Sequence, residues 1–176
     1  MLVARALRLL DAQPTDRIAD LFCGLGNFTL PIATQAREVV GIEGSSTLTE
    51  RSLENATANG LAEKTSFYCR NLFEAKAEDF VELGKFDRML IDPPRDGALA
   101  VCEALSELGK TRPDLLPSRI VYVSCNPSTL ARDAAVLVNE GLYDLKNAGV
   151  INMFPHTSHV ESMAVFELRQ DLTQAA

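Results

Sequence analysis

Ile120-Val-Tyr-Val-Ser-Cys-Asn-Pro-Ser-Thr-Leu130 changes character twice within eleven residues. Ile120 to Val123 is an apolar, β-branched run of the kind that forms a strand buried on both faces. It stops at Ser124-Cys125-Asn126-Pro127, and a helical pattern runs on to Asn139. Pro127 suits the first helical turn and Asn126 suits the cap before it. A strand that hands over to a helix in this way delivers Cys125 to its carboxyl end, where open α/β sheets bind ligands. There the helix dipole favours a thiolate over a thiol. A small buried hydrophobe is the ordinary fate of a free cysteine, and that reading stands unless the rest of the chain displaces it.

Working outward, the same strand–loop–helix unit recurs. Leu2 to Leu10 is an amphipathic helix ended by Pro14. Strands are predicted at Arg17–Phe22, Val39–Ile42, Thr65–Cys69 and Phe86–Ile91, with helices over Phe28–Ala36, Ser46–Asn59, Phe73–Leu83 and Ala98–Leu108. The last third differs, because Tyr143–Phe154 and Val160–Leu168 read as two strands with only Pro155-His-Thr-Ser-His159 between them. The pattern predicts an α/β fold with a mostly parallel seven-stranded sheet, closed by an antiparallel terminal strand pair. That is the layout of a Rossmann-like S-adenosylmethionine-dependent methyltransferase, whereas a nicotinamide-binding domain would tend to keep alternating.

With 176 residues the chain has room for one domain. No apolar run is long enough to span a membrane, and the N-terminus lacks the apolar core of a signal peptide. Cys23, Cys69, Cys102 and Cys125 form no C-x-x-C pair, so neither a zinc site nor a disulfide framework is expected and a reducing cytoplasm fits. Cys23, Cys69 and Cys102 lack the strand-end setting of Cys125 and are expected in the core. A net charge of −7 runs against nucleic-acid binding, which ordinarily shows an electropositive face.

The loops at the predicted carboxyl ends carry the remaining candidates. Asp20-Leu-Phe-Cys-Gly-Leu-Gly-Asn27 has Gly24 and Gly26 for a tight turn and close approach of a ligand. A dinucleotide fingerprint would place a third glycine near position 29, where this chain has Thr29. Asp20 before the turn favours a cationic or zwitterionic ligand over a pyrophosphate. Glu43, ending the second strand, is placed to accept hydrogen bonds from ribose hydroxyls, or is a solvated strand-end acid. Asn71 after the third strand suits an adenine edge or a local turn. Asp92-Pro-Pro-Arg95 ends the fourth strand. The two prolines stiffen that loop, and Arg95 points to an electrophilic clamp on an oxygen or to simple solvation.

Assembled, these stretches resemble the catalytic domain of the RNA uracil-5-methyltransferases, which make 5-methyluridine in transfer RNA or 23S ribosomal RNA. The resemblance rests on DLFCGLGNFTLPIA, GIEGS, NGL, FDRMLIDPPRDG, RIVYVSCNPSTLARD and MFPHTSHVES, and it covers the chain from about Val3 to Leu168. SCNPSTLARD and FPHTSHVES are the most specific of these, and LFCGLGNFTLP with MFPHTSHVES leans toward the ribosomal branch. The resemblance implies that Phe22, Asn27, Glu43, Asn71 and Asp92 line an S-adenosyl-L-methionine site, which Asp20, Gly24 and Gly26 would complete. It also implies that Cys125 is the nucleophile, that Glu161 is the base removing the ring proton, and that Asp92 and Arg95 assist around the uracil. The partner would be RNA, 23S rRNA ahead of tRNA. Residues 1–169 would be the catalytic domain and 170–176 a tail. Family members carry upstream segments, often a β-barrel RNA-binding domain and in several an iron–sulfur domain, so the chain looks like a catalytic domain alone. Phosphate contacts supplied by those segments would reconcile RNA binding with the acidic charge.

The chemistry has its own logic. Carbon 5 of uracil is a poor nucleophile, and thiolate addition at carbon 6 makes it electron-rich. Arg95 would stabilise the enolate oxygen, Glu161 would take the carbon 5 proton, and the base must leave its stack to enter the pocket. His156 and His159 with Glu161 offer a metal-ligand reading, but no further partner on a regular element supports it, so no metal is expected. A nicotinamide oxidoreductase and a catalytically silent binding domain are the competing classes. The missing third glycine weighs against the first, and the full set of Asp92, Arg95, Cys125 and Glu161 weighs against the second.

Overall fold

A computed structural model describes residues 2–140, 142–152 and 160–170. The helices are Leu2–Leu10 (α1), Thr29–Ala33 (α2), Ser46–Ala58 (α3), Ala77–Leu83 (α4), Leu99–Thr111 (α5) and Pro127–Asn139 (α6). The strands are Arg17–Leu21 (β1), Glu38–Glu43 (β2), Thr65–Cys69 (β3), Arg88–Ile91 (β4), Arg119–Ser124 (β5), Tyr143–Asn152 (β6) and Val160–Leu168 (β7). They form one sheet in the order β3-β2-β1-β4-β5-β7-β6. The pairs from β3 through β5 are parallel, and β7 is antiparallel to both β5 and β6. The sheet expected from the alternation and the terminal strand pair is the one found.

The sheet is covered on both faces because its central strands are apolar on both. Along β5, Ile120 and Tyr122 enter a core shared with α4, α5 and α6, while Val121 and Val123 enter a second core shared with α1 and α2. Each fully buried aliphatic side chain contributes about 1.5–3 kcal/mol, so the centre of the sheet is a stiff platform for the loops at its carboxyl edge. The strand order reverses between β1 and β4, which is where open α/β sheets form their ligand crevice.

Three local expectations are corrected. The second predicted helix is shorter, Thr29–Ala33, because the chain leaves it in a turn that Ile32 O closes with Gln35 N and Ala36 N. The helix expected over 73–83 is broken. Leu72–Glu74 is a 3-10 turn, Ala75 and Lys76 are extended, and α4 begins only at Ala77, with Asp79 Oδ2 accepting the Lys76 N–H at 2.8 Å. Cys69 is exposed rather than core, since it ends the edge strand β3, whereas Cys23 and Cys102 are buried as expected.

Candidate active site

The candidate residues gather along the carboxyl edge on either side of the β1–β4 reversal. A cavity of about 260 Å³ is lined by Phe22, Glu43, Gly44, Asn71, Leu72, Phe73, Asp92 and Pro94, and so draws on the loops after β1, β2, β3 and β4. The turn after β1 is shaped by glycine: Gly24 and Gly26 have φ of +54° and +85°, and Phe22 also adopts a positive φ of +61°. A non-glycine residue in that region is strained and is held there only by its surroundings. Glu43 ties this turn to the next loop, accepting from Gly24 N at 3.1 Å and from Ser45 N at 3.0 Å. Its carboxylate is therefore pre-aimed at the cavity wall rather than free in solvent.

Asn71 uses its side-chain oxygen locally, accepting from Phe73 N at 3.1 Å, so the turn-forming reading of this residue is realised. That turn swings Phe73 into the cavity lining. The Phe22 and Phe73 rings meet edge to face with centroids 5.6 Å apart, and Phe73 is half exposed. Phe73 is the wall residue that helix periodicity concealed. Asn27 is exposed on the turn and stands outside the cavity lining.

Asp20 is completely buried beneath the glycine turn. Its Oδ2 accepts the Thr29 hydroxyl at 2.5 Å, while its Oδ1 has no hydrogen-bond partner among the described residues. Burial pushes its pKa up to about 7 against the opposing Thr29 bond, and the neighbouring Asp92 charge adds to the rise. Asp92 is also raised to about 7, first by burial and then by the charge of Glu161. A buried acid with an orphaned oxygen, Asp20, and a partly buried one in the cavity wall, Asp92, suit a positively charged ligand, which would favour their ionised forms. The cavity, the tied carboxylate and the aromatic wall suit a nucleoside next to it. An S-adenosylmethionine molecule carries both features.

The second half of the site lies across the reversal. Ser124 pairs with Ser162 at the end of the β5–β7 ladder, which leaves Cys125 one residue past β5 and Glu161 one residue before Ser162 on β7. Cys125 is partly exposed, immediately before the N-cap Asn126, whose Oδ1 accepts from Ser128 N at 3.1 Å. The Asp92–Gly97 loop is bound to the start of α6 as well: Asn126 Nδ2 donates to Arg95 O at 3.1 Å and Thr129 Oγ1 donates to the same oxygen at 3.2 Å. Arg95 is exposed at the rim. The fold thus carries Asp92, Arg95, Cys125 and Glu161 at the ends of three neighbouring strands, β4, β5 and β7. His156 and His159 lie outside the described residues. Among the described residues no group of three or more His, Cys, Asp or Glu side chains is arranged to hold a metal, and no helix is long and apolar enough to cross a membrane.

A family model described as tRNA (Uracil-5-)-methyltransferase matches residues 1–169. The chain belongs to that family. Among curated relatives, a 23S rRNA (uracil(1939)-C(5))-methyltransferase RlmD of Cupriavidus pinatubonensis is 70% identical over 169 residues, 96% of this chain and 36% of the relative. The protein of the same name from Ralstonia pickettii is 70% identical over 170 residues, 95% of this chain and 38% of the relative. The chain therefore spans little more than a third of the length of these relatives. Among solved structures, the Pyrococcus abyssi tRNA (uracil-54, C5)-methyltransferase in complex with S-adenosyl-L-homocysteine superposes with a TM-score of 0.74 at 29% identity, over 94% of this chain and 37% of that one. TrmN from Thermus thermophilus, at 22% identity and a TM-score of 0.72 over 96% of this chain and 48% of that one, shares the fold.

Proposed function

We propose that this chain is the catalytic unit, residues 1–169, of an enzyme that methylates carbon 5 of a uridine in RNA with S-adenosyl-L-methionine. The observation that carries the reading is the placement of a thiol, Cys125, one residue past β5 and of a carboxylate, Glu161, on the adjacent strand β7, at the same sheet edge as a cavity lined by Glu43 and Asp92. The RNA is 23S ribosomal RNA, a reading supported by the names of the relatives that are 70% identical. A transfer RNA is the alternative, supported by the Pyrococcus abyssi neighbour. The setting is the cytoplasm, where ribosomal RNA is accessible and thiols stay reduced.

In this reading Asp20, Phe22, Gly24, Gly26, Glu43, Asn71 and Asp92 form the cofactor side, joined by Phe73, and Asn27 borders it. The cofactor, when bound, supplies an electrophilic methyl group on a sulfonium. The chain's own residues do the rest. The Cys125 thiolate adds to carbon 6 of the uracil, and the electron pair of the 5,6 double bond moves toward the carbon 4 oxygen, where Arg95 holds the developing charge. After carbon 5 is methylated, Glu161 takes the carbon 5 proton. The double bond reforms as the carbon 6–sulfur bond breaks, and the thiolate leaves.

The test uses 23S rRNA fragments carrying 5-fluorouridine at the target, where fluorine replaces the proton that must be removed. The 176-residue chain is assayed alone and joined to the region of the Cupriavidus pinatubonensis relative that it does not match. A protein–RNA adduct stable to denaturation is expected with the joined chain and absent in Cys125→Ala. With ordinary uridine, Glu161→Gln is expected to accumulate the methylated adduct. Adduct formation by Cys125→Ala at the unsubstituted rate would remove the nucleophile assignment.

A further inference from the structure

The interior of α6 holds an acid that no step above uses. Asp133 is completely buried, on the stripe Leu130–Asp133–Leu137 that α6 turns toward the sheet. Its Oδ2 accepts from Ala98 N at 2.6 Å and from the Tyr122 hydroxyl at 2.6 Å, and its Oδ1 accepts from Arg132 Nε at 2.8 Å. The Tyr122 hydroxyl also accepts from Ala98 N at 3.1 Å. Burial, and then the carboxylate beside it, push the Tyr122 hydroxyl up, so it remains a donor at any working pH. Arg132 reaches on to Asp96 O at 2.8 Å.

These bonds share a destination. Arg95 O, Asp96 O and Ala98 N are closely spaced backbone stations of the loop that carries Asp92 and Arg95, and their partners are the cap Asn126 and then Thr129, Arg132 and Asp133 along one side of α6. Gly97 shows how closely the two are pressed together: a Cβ there would lie 2.6 Å from Asp133 Oδ2 and 2.7 Å from Arg132 Nη2. Cys125 immediately precedes the cap of the same helix. The separation between the thiol and the Arg95 loop is therefore fixed through α6 rather than through the sheet alone.

We propose that Asp133, with Tyr122 and Arg132, is a positioning device that registers the Asp92–Arg95 loop against Cys125, so that thiolate addition and charge stabilisation act on one uracil ring. The inference rests on the reading of Cys125 and Arg95 given above. Asp133 touches no reacting atom. Its effect runs through Arg95, and a misplacement of about 1 Å in such a constellation costs on the order of a hundredfold in rate.

The experiment measures two quantities in the joined chain: the dissociation constant for S-adenosylmethionine, and the rate of covalent capture of 5-fluorouridine RNA at saturating RNA. Asp133→Asn keeps the shape and loses the carboxylate, and Tyr122→Phe, a milder change that preserves packing, loses the two bonds of the hydroxyl while Ala98 N keeps its bond to Asp133 Oδ2. Capture is expected to slow by about tenfold to a hundredfold in Asp133→Asn and less in Tyr122→Phe. Cofactor affinity is expected to fall less than capture does, because only Asp92 and Pro94 of the cavity lining belong to the loop that α6 holds. In an Arg95→Ala background, Asp133→Asn should slow capture by no more than about twofold further. Undiminished capture in both variants overturns the proposal, and so does a fall in cofactor affinity that matches the fall in capture. Full additivity with Arg95→Ala also overturns it. Absence of capture by the unsubstituted protein instead overturns the functional reading, and the positioning role with it.

Discussion

The Thr29 hydroxyl donates to Asp20 Oδ2 at 2.5 Å inside the core, where the carboxyl group is sealed from water. A hydrogen bond to a charged group is worth about 1.5–3 kcal/mol, so Thr29 opposes the burial that raises Asp20. Thr29→Val keeps the volume and deletes the donor. Ionising Asp20 should then become harder, and S-adenosylmethionine affinity at pH 7 should fall by about tenfold, with partial recovery at pH 8.5 where deprotonation is easier. Calorimetric titration at the two pH values measures this; an unchanged dissociation constant at pH 7 would separate Asp20 from cofactor binding.

Asp20 also links pH to stability. Its folded pKa of about 7 lies above the ordinary 3.8, so the folded state holds this proton more tightly than the unfolded state does. The stabilisation is fully present below about pH 3.8 and is lost as the pH rises through about 7. At 1.36 kcal/mol per pKa unit the ceiling is on the order of 4 kcal/mol. Asp92 acts in the same direction, less than additively because the two charges interact. Asp20→Asn cannot ionise and should gain stability relative to the unsubstituted chain between pH 4.5 and pH 8, as read by urea unfolding. Parallel stability curves for the two would contradict a buried, raised Asp20.

The strand ends are legible because parallel strands covered on both faces read as apolar runs, and the polar residues that stop them are the candidate site residues. Glu43, Asp92 and Cys125 stand out by that break in pattern and Asp20 by preceding the glycine turn, while their roles come from the family resemblance. Contacts made far along the chain carried no such mark. Thr29 registered only as an absent third glycine, although its hydroxyl is what Asp20 needs. Phe73 was absorbed into a helix because periodicity cannot see Asn71 closing a turn on Phe73 N. Asp133 did leave a trace, an acid standing in the apolar stripe between Leu130 and Leu137, but its partner Ala98 is 35 residues away and no local rule joins them. Cys69 was misplaced because a strand's apolar pattern does not say that it lies at the sheet's edge.

Phe73 supplies a prediction that separates binding from folding. It lines the cavity, lies against Phe22 and is 52% exposed, so little of the core depends on it. Stacking of an aromatic side chain on a base is worth about 1–3 kcal/mol. Phe73→Ala is therefore expected to weaken S-adenosylmethionine by about fivefold to a hundredfold while unfolding stability changes by less than about 1 kcal/mol. Phe73→Leu should recover part of the affinity. A stability loss as large as the affinity loss would make Phe73 a packing residue instead.

Two glycines distinguish backbone strain from a rigid clamp. Gly24 and Gly97 both have positive φ, +54° and +79°, so alanine at either carries a left-handed penalty of about 1–2 kcal/mol. At Gly24 a Cβ meets nothing within 4 Å, and that penalty is the whole cost. At Gly97 it meets Asp133 Oδ2, Arg132 Nη2 and Thr129 Cβ at 2.6, 2.7 and 3.0 Å. Arg132 is long enough to swing away. Asp133 is not, because Ala98 N and the Tyr122 hydroxyl both hold that same oxygen. Gly97→Ala should therefore cost at least about 3 kcal/mol, a fall of roughly 6–12 °C in Tm, against about 1–2 kcal/mol for Gly24→Ala. Thermal unfolding of the two variants side by side decides it. Equal losses would mean that the loop can lift from α6, and a loop free to lift could not hold Arg95 in register with Cys125.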